Sequence, residues 1–164
     1  LATSNASHDL VREVRLHCLS ANELPALEQS LLQQSREALA LSYSPYSQFP
    51  VGSAVLLSNG TVLKGANQEN ASYPAGLCAE RVALFFASAN YPREKVQSLA
   101  IHVGRQGQLL PYPCGICLQV IHELEQRQGQ SIRLLLVLST QKVYLSEGVE
   151  NLLPFAFRQE HLAS

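Results

Sequence analysis

Gly76-Leu77-Cys78-Ala79-Glu80-Arg81 and, downstream, Pro113-Cys114-Gly115-Ile116-Cys117 are the stretches that give the rest of the chain its meaning. Three cysteines and a glutamate are set as a zinc site with an open position and an acid/base beside it. Soft thiolates suit zinc, and three protein ligands plus water is the arrangement of a catalytic rather than a structural site. Cys114 and Cys117 are three residues apart, so they share a face in the first turn of a helix. Glu80 stands two residues after Cys78, a spacing that shares no helix face. The pair works only if the metal sits off a helix N-terminus, toward which every Cβ leans. Arg81, three residues after Cys78, can reach the thiolate.

The 164 residues are 46% hydrophobic and 15% charged, with a formal net charge of -1. These values describe one globular domain over residues 1–164, with residues 1–20 as an N-terminal extension and a core of about 22–158. Lys and Arg form no basic run, which weighs against nucleic acid as a partner. No apolar stretch is long enough to span a bilayer. Leu1 to Ser7 have neither the basic start nor the apolar middle of a signal peptide. With four cysteines, two of them spaced for a metal, the expected compartment is the cytoplasm.

Residues 1–8 are polar, and fraying is expected there. Val14, Leu16 and Cys18 alternate within Val11–Leu19, which predicts a short edge strand with Cys18 as a small buried hydrophobe. A covering helix is expected from Asn22, with Pro25 in its first turn; Leu24, Leu27, Leu31, Ala38, Leu39 and Leu41 line one face, and Glu28 lies on the polar one. Prolines 45 and 50 make Tyr43–Pro50 a loop whose aromatics, on spacing alone, cap the core. Val51–Leu57 is apolar on both faces and reads as a central strand, returning through Asn59-Gly60 into Thr61–Ala66. The polar run Asn67–Tyr73 fits either a solvated connector or a loop that binds a hydroxyl-rich ligand.

Downstream of Cys78 the helix is apolar nearly all round, so it is expected to be buried, with Glu80 lacking a basic partner at i±3 or i±4. Such a carboxylate is paired with a distant arginine, protonated, or functional; beside three cysteines, function is the better reading. Leu99–Val103 is the next buried strand, Gly104–Pro113 a loop, and Gly115–Gln128 a helix ending at Gly129. Ile132–Leu138 and Val143–Leu145 are strands, and Val149–Leu153 is a helical turn stopped by Pro154. Of the five histidines, His102 near a strand end is the serious rival ligand, but three cysteines already fill the protein-ligand quota.

From about Tyr43 to Phe157 the chain resembles the cytidine deaminase family, the small zinc-dependent homotetrameric kind that acts on free nucleosides. The matching blocks are Tyr43–Gly52, Asn67–Tyr73, Cys78–Arg81 and Pro113–Cys117, and Leu152–Phe157 resembles the closing motif. Zinc deaminases carry His-x-Glu, or a three-cysteine variant, followed by Pro-Cys-x-x-Cys. The resemblance implies an α/β fold: a three-layer α/β/α sandwich around a five-stranded mixed sheet, here with an extra N-terminal edge strand. It implies one zinc ion per subunit held by Cys78, Cys114 and Cys117, with Glu80 as the catalytic proton carrier. Phe49 would pack on the pyrimidine, Asn67 and Glu69 would hold the ribose, and the Ala79 backbone would meet the base. Tyr73 and Phe157 would reach a neighbouring subunit's pocket, and Arg81 would donate to thiolate sulfur.

The implied activity is deamination of cytidine or deoxycytidine to uridine or deoxyuridine, in pyrimidine salvage, with a nucleoside rather than nucleic acid or membrane as partner. Alternatives are a deaminase for another aminopyrimidine nucleoside, such as a blasticidin-type antibiotic, or a catalytically weakened zinc-stabilised binding protein. One departure stands out: the family's usual arginine after the last cysteine is Leu118 here. A source of positive charge near the thiolates is expected to be missing.

Overall fold

Strand Val51–Leu57 (β2) shows how the two apolar faces of this chain are satisfied. Val55 and Leu57 pack into one core cluster while Ala54 and Leu56 pack into another on the opposite face. A strand that is buried on both sides requires helices on both sides, the logic of a three-layer sandwich. The computed structural model describes residues 9–104 and 110–162. The fraying expected of residues 1–8 and residues 105–109 of the Gly104–Pro113 loop lie outside them.

Among the described residues, nine α-helices and β-strands follow one another: β1 (His17–Ser20), α1 (Ala26–Glu37), β2, β3 (Val62–Ala66), α2 (Ala79–Asn90), β4 (Val96–Val103), α3 (Gly115–Gln128), β5 (Arg133–Val137) and β6 (Lys142–Glu147). The sheet order is β1-β6-β5-β4-β2-β3. Only β4 and β5 run parallel; the other neighbours are antiparallel. The β4–β5 crossover is α3, as a parallel pair requires. Helix α1 contributes Leu24-side and Leu31 contacts to the face of Ala54 and Leu56, whereas α2 and α3 cover the face of Val55 and Leu57. Asn59-Gly60 closes the β2–β3 hairpin, with Gly60 at φ +84°, a conformation that glycine adopts without strain.

The sheet has six strands because the N-terminal segment joins it: β1 pairs with β6, from His17 opposite Leu145 to Ser20 opposite Lys142. Three of the expected nine residues, 17–19, are strand, the strand runs on to Ser20, and Cys18 is exposed rather than buried. An edge strand has one neighbour and leaves much of its side-chain surface uncovered.

Helix α1 starts at Ala26 with Pro25 as its N-cap, four residues after the expected Asn22. Its buried residues are Glu28, Leu31 and Ser35, a stripe continued by Leu24 before the helix and Ala38 after it, whereas Leu27 and Leu41 are exposed. The stripe follows the 3.6-residue period, and Leu27 falls beside it. Glu28 is therefore on the inner face, where Arg133 pairs with it at 2.8 Å and Ser98 donates to it at 2.7 Å. Helix α2 is also more one-sided than its composition suggests. Ala79, Glu80, Ala83, Leu84 and Ala87 are buried, while Phe85 and Phe86 face outward. Among the described residues, no helix is long and apolar enough to cross a membrane.

Candidate metal centre

Cys78 is the N-cap of α2 and Cys114 the N-cap of α3. Both helices thus point their unpaired N–H groups and positive dipole ends at the same spot. Cys117 sits one turn into α3, and Glu80 in the first turn of α2. Cys78 and Glu80 are thus the capping residue and the second helical residue of the same helix start.

The three sulfurs lie within 4.8 Å of one another. Cys114 Sγ is 3.5 Å from Cys117 Sγ and 3.8 Å from Cys78 Sγ. Ligands at 2.3 Å around a tetrahedral zinc ion stand about 3.8 Å apart, so the donor set fits zinc in both chemistry and spacing. Among the described residues this cluster contains no histidine; His102 is half-buried with Nδ1 unpartnered, and it lies outside the sulfur group.

Electrostatics favour thiolate here. The Cys78 thiol is pulled down to about 5, chiefly by the hydrogen bond from Cys117, with Arg81 and Cys114 adding to it against the cost of burial. Cys117, as the proton donor of that pair and under the same burial, is pushed up. Arg81 Nη2 donates to Cys78 Sγ at 3.8 Å and to the Gly76 carbonyl at 3.4 Å. Glu80 is 4% exposed, and no salt bridge involves it among the described residues. Desolvation raises its carboxyl above the ordinary range, and the nearby Cys78 charge pushes the same way. A carboxyl tuned upward beside an open metal position is suited to taking and returning a proton.

Two features that the sequence did not signal hold this arrangement in place. Ser53 on β2 donates its hydroxyl to the Ala79 carbonyl at 2.7 Å, fixing the first residue of α2 to the sheet. Gly65 on β3 lets α2 come close: a Cβ there would stand 2.5 Å from the Ala79 oxygen. A glycine inside a strand is the available hint of such an approach.

A cleft of about 490 Å³ opens next to Cys78 and Arg81, with Asn67, Glu69 and Tyr73 in its lining. Glu69 accepts hydrogen bonds from Tyr46 N at 2.9 Å, Ser47 N at 3.2 Å and the Ser47 hydroxyl. The hydroxyl contact, more than the backbone ones, keeps its carboxyl below the ordinary range despite some desolvation. Asn67 is more engaged than its type suggested. Its Oδ1 accepts from Ser42 at 2.6 Å and from Val51 N at 2.8 Å, and its Nδ2 donates to the Phe49 carbonyl at 3.0 Å. Phe49 is thereby tied down by its backbone while its ring stays 40% exposed, so it does not cap the core. Tyr73 is exposed and meets Tyr46 edge-on at 6.1 Å.

Phe157 is not part of this cleft. Gln119 of α3 donates to its carbonyl at 2.8 Å, and its exposed ring stacks on His161 at 5.4 Å. Leu118 is 9% exposed and belongs to the core cluster of Leu84, Ile121 and Leu134. An apolar side chain at this position is drawn into the core and leaves Arg81 as the cation at the thiolates.

An α/β/α sandwich that brings two helix N-termini, three sulfurs and a buried carboxyl together defines a zinc-binding protein. The family model for the cytidine and deoxycytidylate deaminase zinc-binding region matches residues 25–130. The cytidine deaminase of Halalkalibacterium halodurans is 45% identical over 96 residues, 58% of this chain and 70% of that protein. The crystal structure of cytidine deaminase from Burkholderia pseudomallei superposes with a TM-score of 0.69 at 35% identity, covering 79% of this chain and 98% of that one. That from Mycobacterium tuberculosis gives 0.63 at 31%, covering 80% and 97%. The chain belongs to the cytidine deaminase family.

Proposed function

We propose that this chain hydrolyses cytidine or deoxycytidine to uridine or deoxyuridine with release of ammonia, as an enzyme of pyrimidine salvage. The observation that carries the reading is the buried carboxyl of Glu80, without a salt bridge among the described residues, beside a three-cysteine zinc site. Zinc, when held by Cys78, Cys114 and Cys117, supplies the Lewis acidity that makes water nucleophilic at neutral pH. Glu80 accepts a proton from that water and delivers it to N3 of the pyrimidine, which leaves C4 electron-poor. As the C4–O bond forms and the C4–N bond breaks, Glu80 carries a proton to the departing amine, which leaves as ammonia. Arg81 balances the charge of the thiolates.

The substrate contacts belong to the same proposal and rest on the family resemblance, with Asn67, Glu69 and Tyr73 sharing the cleft beside Cys78. Glu69 and the remaining N–H of Asn67 meet the ribose hydroxyls, and Phe49 covers the base. Ala79 offers its N–H to the base, since its carbonyl is taken by Ser53. Tyr73 and Phe157 project outward and serve neighbouring copies in a homotetramer; the exposed Phe85 and Phe86 of α2 support such packing. The chain acts as a single domain in the cytoplasm, on free nucleosides rather than on nucleic acid, for which its net charge of -1 gives no attraction.

The test is Glu80→Gln, assayed with zinc content on the same preparation. One zinc per chain, an unchanged fold and loss of uridine formation by at least about 10² are expected. Unchanged turnover would overturn the role of Glu80. Turnover of a blasticidin-type nucleoside without cytidine would overturn the substrate.

A further inference from the structure

Ser47 joins two residues that the proposed function sets at opposite ends of a nucleoside. Its hydroxyl donates to Glu69 Oε1 and accepts from the Phe49 N–H at 3.0 Å. Its own N–H donates to Glu69 Oε2 at 3.2 Å. The Phe49 carbonyl in turn accepts from Asn67 Nδ2 at 3.0 Å. Both backbone polar groups of Phe49 are therefore held from the polar side of the cleft, one directly by Asn67 and the other by Glu69 through Ser47.

The local backbone needs such ties. Residues 45–47 form a turn, closed by the Gln48 N–H on the Ser44 carbonyl at 3.0 Å, and Gln48 lies at φ +52°. A non-glycine residue in the left-handed region is strained and persists only where its surroundings hold it. The bond from the Phe49 N–H to the Ser47 hydroxyl spans Gln48 and does so. A serine hydroxyl carries one proton, and here Glu69 receives it, so Ser47 keeps no hydroxyl donor for a ligand. With Tyr46 N at 2.9 Å as a further donor, Glu69 is an acceptor-only carboxylate, held below the ordinary range chiefly by the Ser47 hydroxyl. Its remaining acceptor capacity suits a ligand hydroxyl.

We infer that Ser47 is a positioning residue that ties the Phe49 backbone to the Glu69 carboxylate, so that the group reading the sugar also sets the ring that covers the base. The roles of Phe49 and Glu69 rest on the nucleoside reading; the link between them rests on the hydrogen bonds.

The experiment compares Ser47→Ala and Ser47→Thr with the parent in the zinc-loaded full chain. The first removes both hydroxyl bonds. The second keeps the hydroxyl, and the exposed position leaves room for a methyl group. Amide exchange at Phe49, read by nuclear magnetic resonance, is expected to quicken about tenfold in Ser47→Ala and to stay within about twofold of the parent in Ser47→Thr. KM for cytidine is expected to rise about tenfold in Ser47→Ala while kcat stays within about threefold, and Ser47→Thr should restore KM to within about twofold. Residues that act as one unit are non-additive, so Ser47→Ala with Glu69→Gln should raise KM by less than the product of the single effects. Parental exchange at Phe49 in Ser47→Ala, parental KM in that variant, or multiplicative effects in the double variant would overturn the inference. A zinc-loaded parent that deaminates no cytidine would instead defeat the nucleoside reading, and Phe49 exchange alone would then decide whether Ser47 positions this residue.

Discussion

Arg81 Nη2 stands 3.8 Å from Cys78 Sγ, and the same nitrogen reaches the Gly76 carbonyl at 3.4 Å. The contact spans one helical turn and closes the entrance to α2 with a cation. A capping thiolate is thus met by a helix N-terminus from one direction and a guanidinium from another.

In metal-free protein the hydrogen bond from Cys117, with Arg81 and Cys114 adding to it against the cost of burial, pulls the Cys78 thiol down to about 5 from 9.0 for an ordinary thiol. The lowered value means that its contribution to stability is fully present only above pH 9 and is lost as pH falls through about 5. Cys117, pushed up, acts with the opposite sign above pH 9. The pair therefore favours the metal-free fold most near pH 9. Ultraviolet thiolate titration of the metal-free protein is expected to show one early ionisation, and Arg81→Gln to move it upward. Zinc affinity in that variant is expected to fall about tenfold, measured by chelator competition.

Gly65 makes a separate prediction about the same helix. A methyl group there would meet the Ala79 oxygen at 2.5 Å and the Ala83 nitrogen at 2.6 Å, both backbone atoms that cannot rotate away. Gly65→Ala must push α2 off β3, at a cost of about 1–3 kcal/mol, and carry Cys78 and Glu80 with it. Thermal unfolding and zinc per chain should both fall. Gly115→Ala is the matched control: it adjoins Cys114, but among the described residues nothing lies within 4 Å of its added Cβ. Zinc content there should equal that of the parent.

Much of this centre was legible because it depends on local spacing. The bounds of α3 come from Cys114 and Gly129, the latter at φ +63° as a helix-ending glycine. The β2–β3 hairpin follows from Asn59-Gly60, and the placing of Cys78 at a helix start from its two-residue spacing to Glu80. What was not legible depends on partners far along the chain. Glu28 is buried because Arg133, 105 residues later, is there to meet it. Cys18 is exposed because β6 supplies a neighbour on one side only. Phe85 and Phe86 face outward, since the period of α2 gives its inner stripe to alanines and Leu84. Composition recognises an apolar helix, but it does not say which of its residues the sheet will cover.

Asn67 and Glu69 share the cleft but should respond differently to substitution. The Asn67 side chain joins Ser42, Val51 and Phe49, so Asn67→Ala leaves a backbone N–H and a carbonyl without partners. A stability loss of about 1–3 kcal/mol is expected together with a raised KM. Glu69 makes its contacts at the exposed rim with Tyr46 and Ser47. Glu69→Gln keeps the shape and weakens acceptance by one charge. It should raise KM for cytidine while thermal stability and zinc content stay close to the parent's. Melting curves and Michaelis kinetics on the two variants decide the matter: equal melting temperatures would show that the Asn67 bonds do not support the loop.

Glu28 and Arg133 test the opposite face of the sheet. The carboxylate is 4% exposed, accepts from Ser98 at 2.7 Å and takes Arg133 Nε and Nη2 at 2.8 and 3.2 Å. Removing one partner of a fully buried pair costs about 3–5 kcal/mol. The Arg133 side chain is 35% exposed, however, and already contacts Glu147, so it can keep a partner and remain partly hydrated. Glu28→Ala is therefore expected to cost about 2 kcal/mol, a fall in Tm of about 5 °C for a chain of this size. Because α1 and the sulfur cluster lie on different faces of the sheet, zinc release at 25 °C should not change. Accelerated release in Glu28→Ala would mean that the two faces communicate through β4, whose Ser98 contacts the pair and whose far end leads toward Cys114.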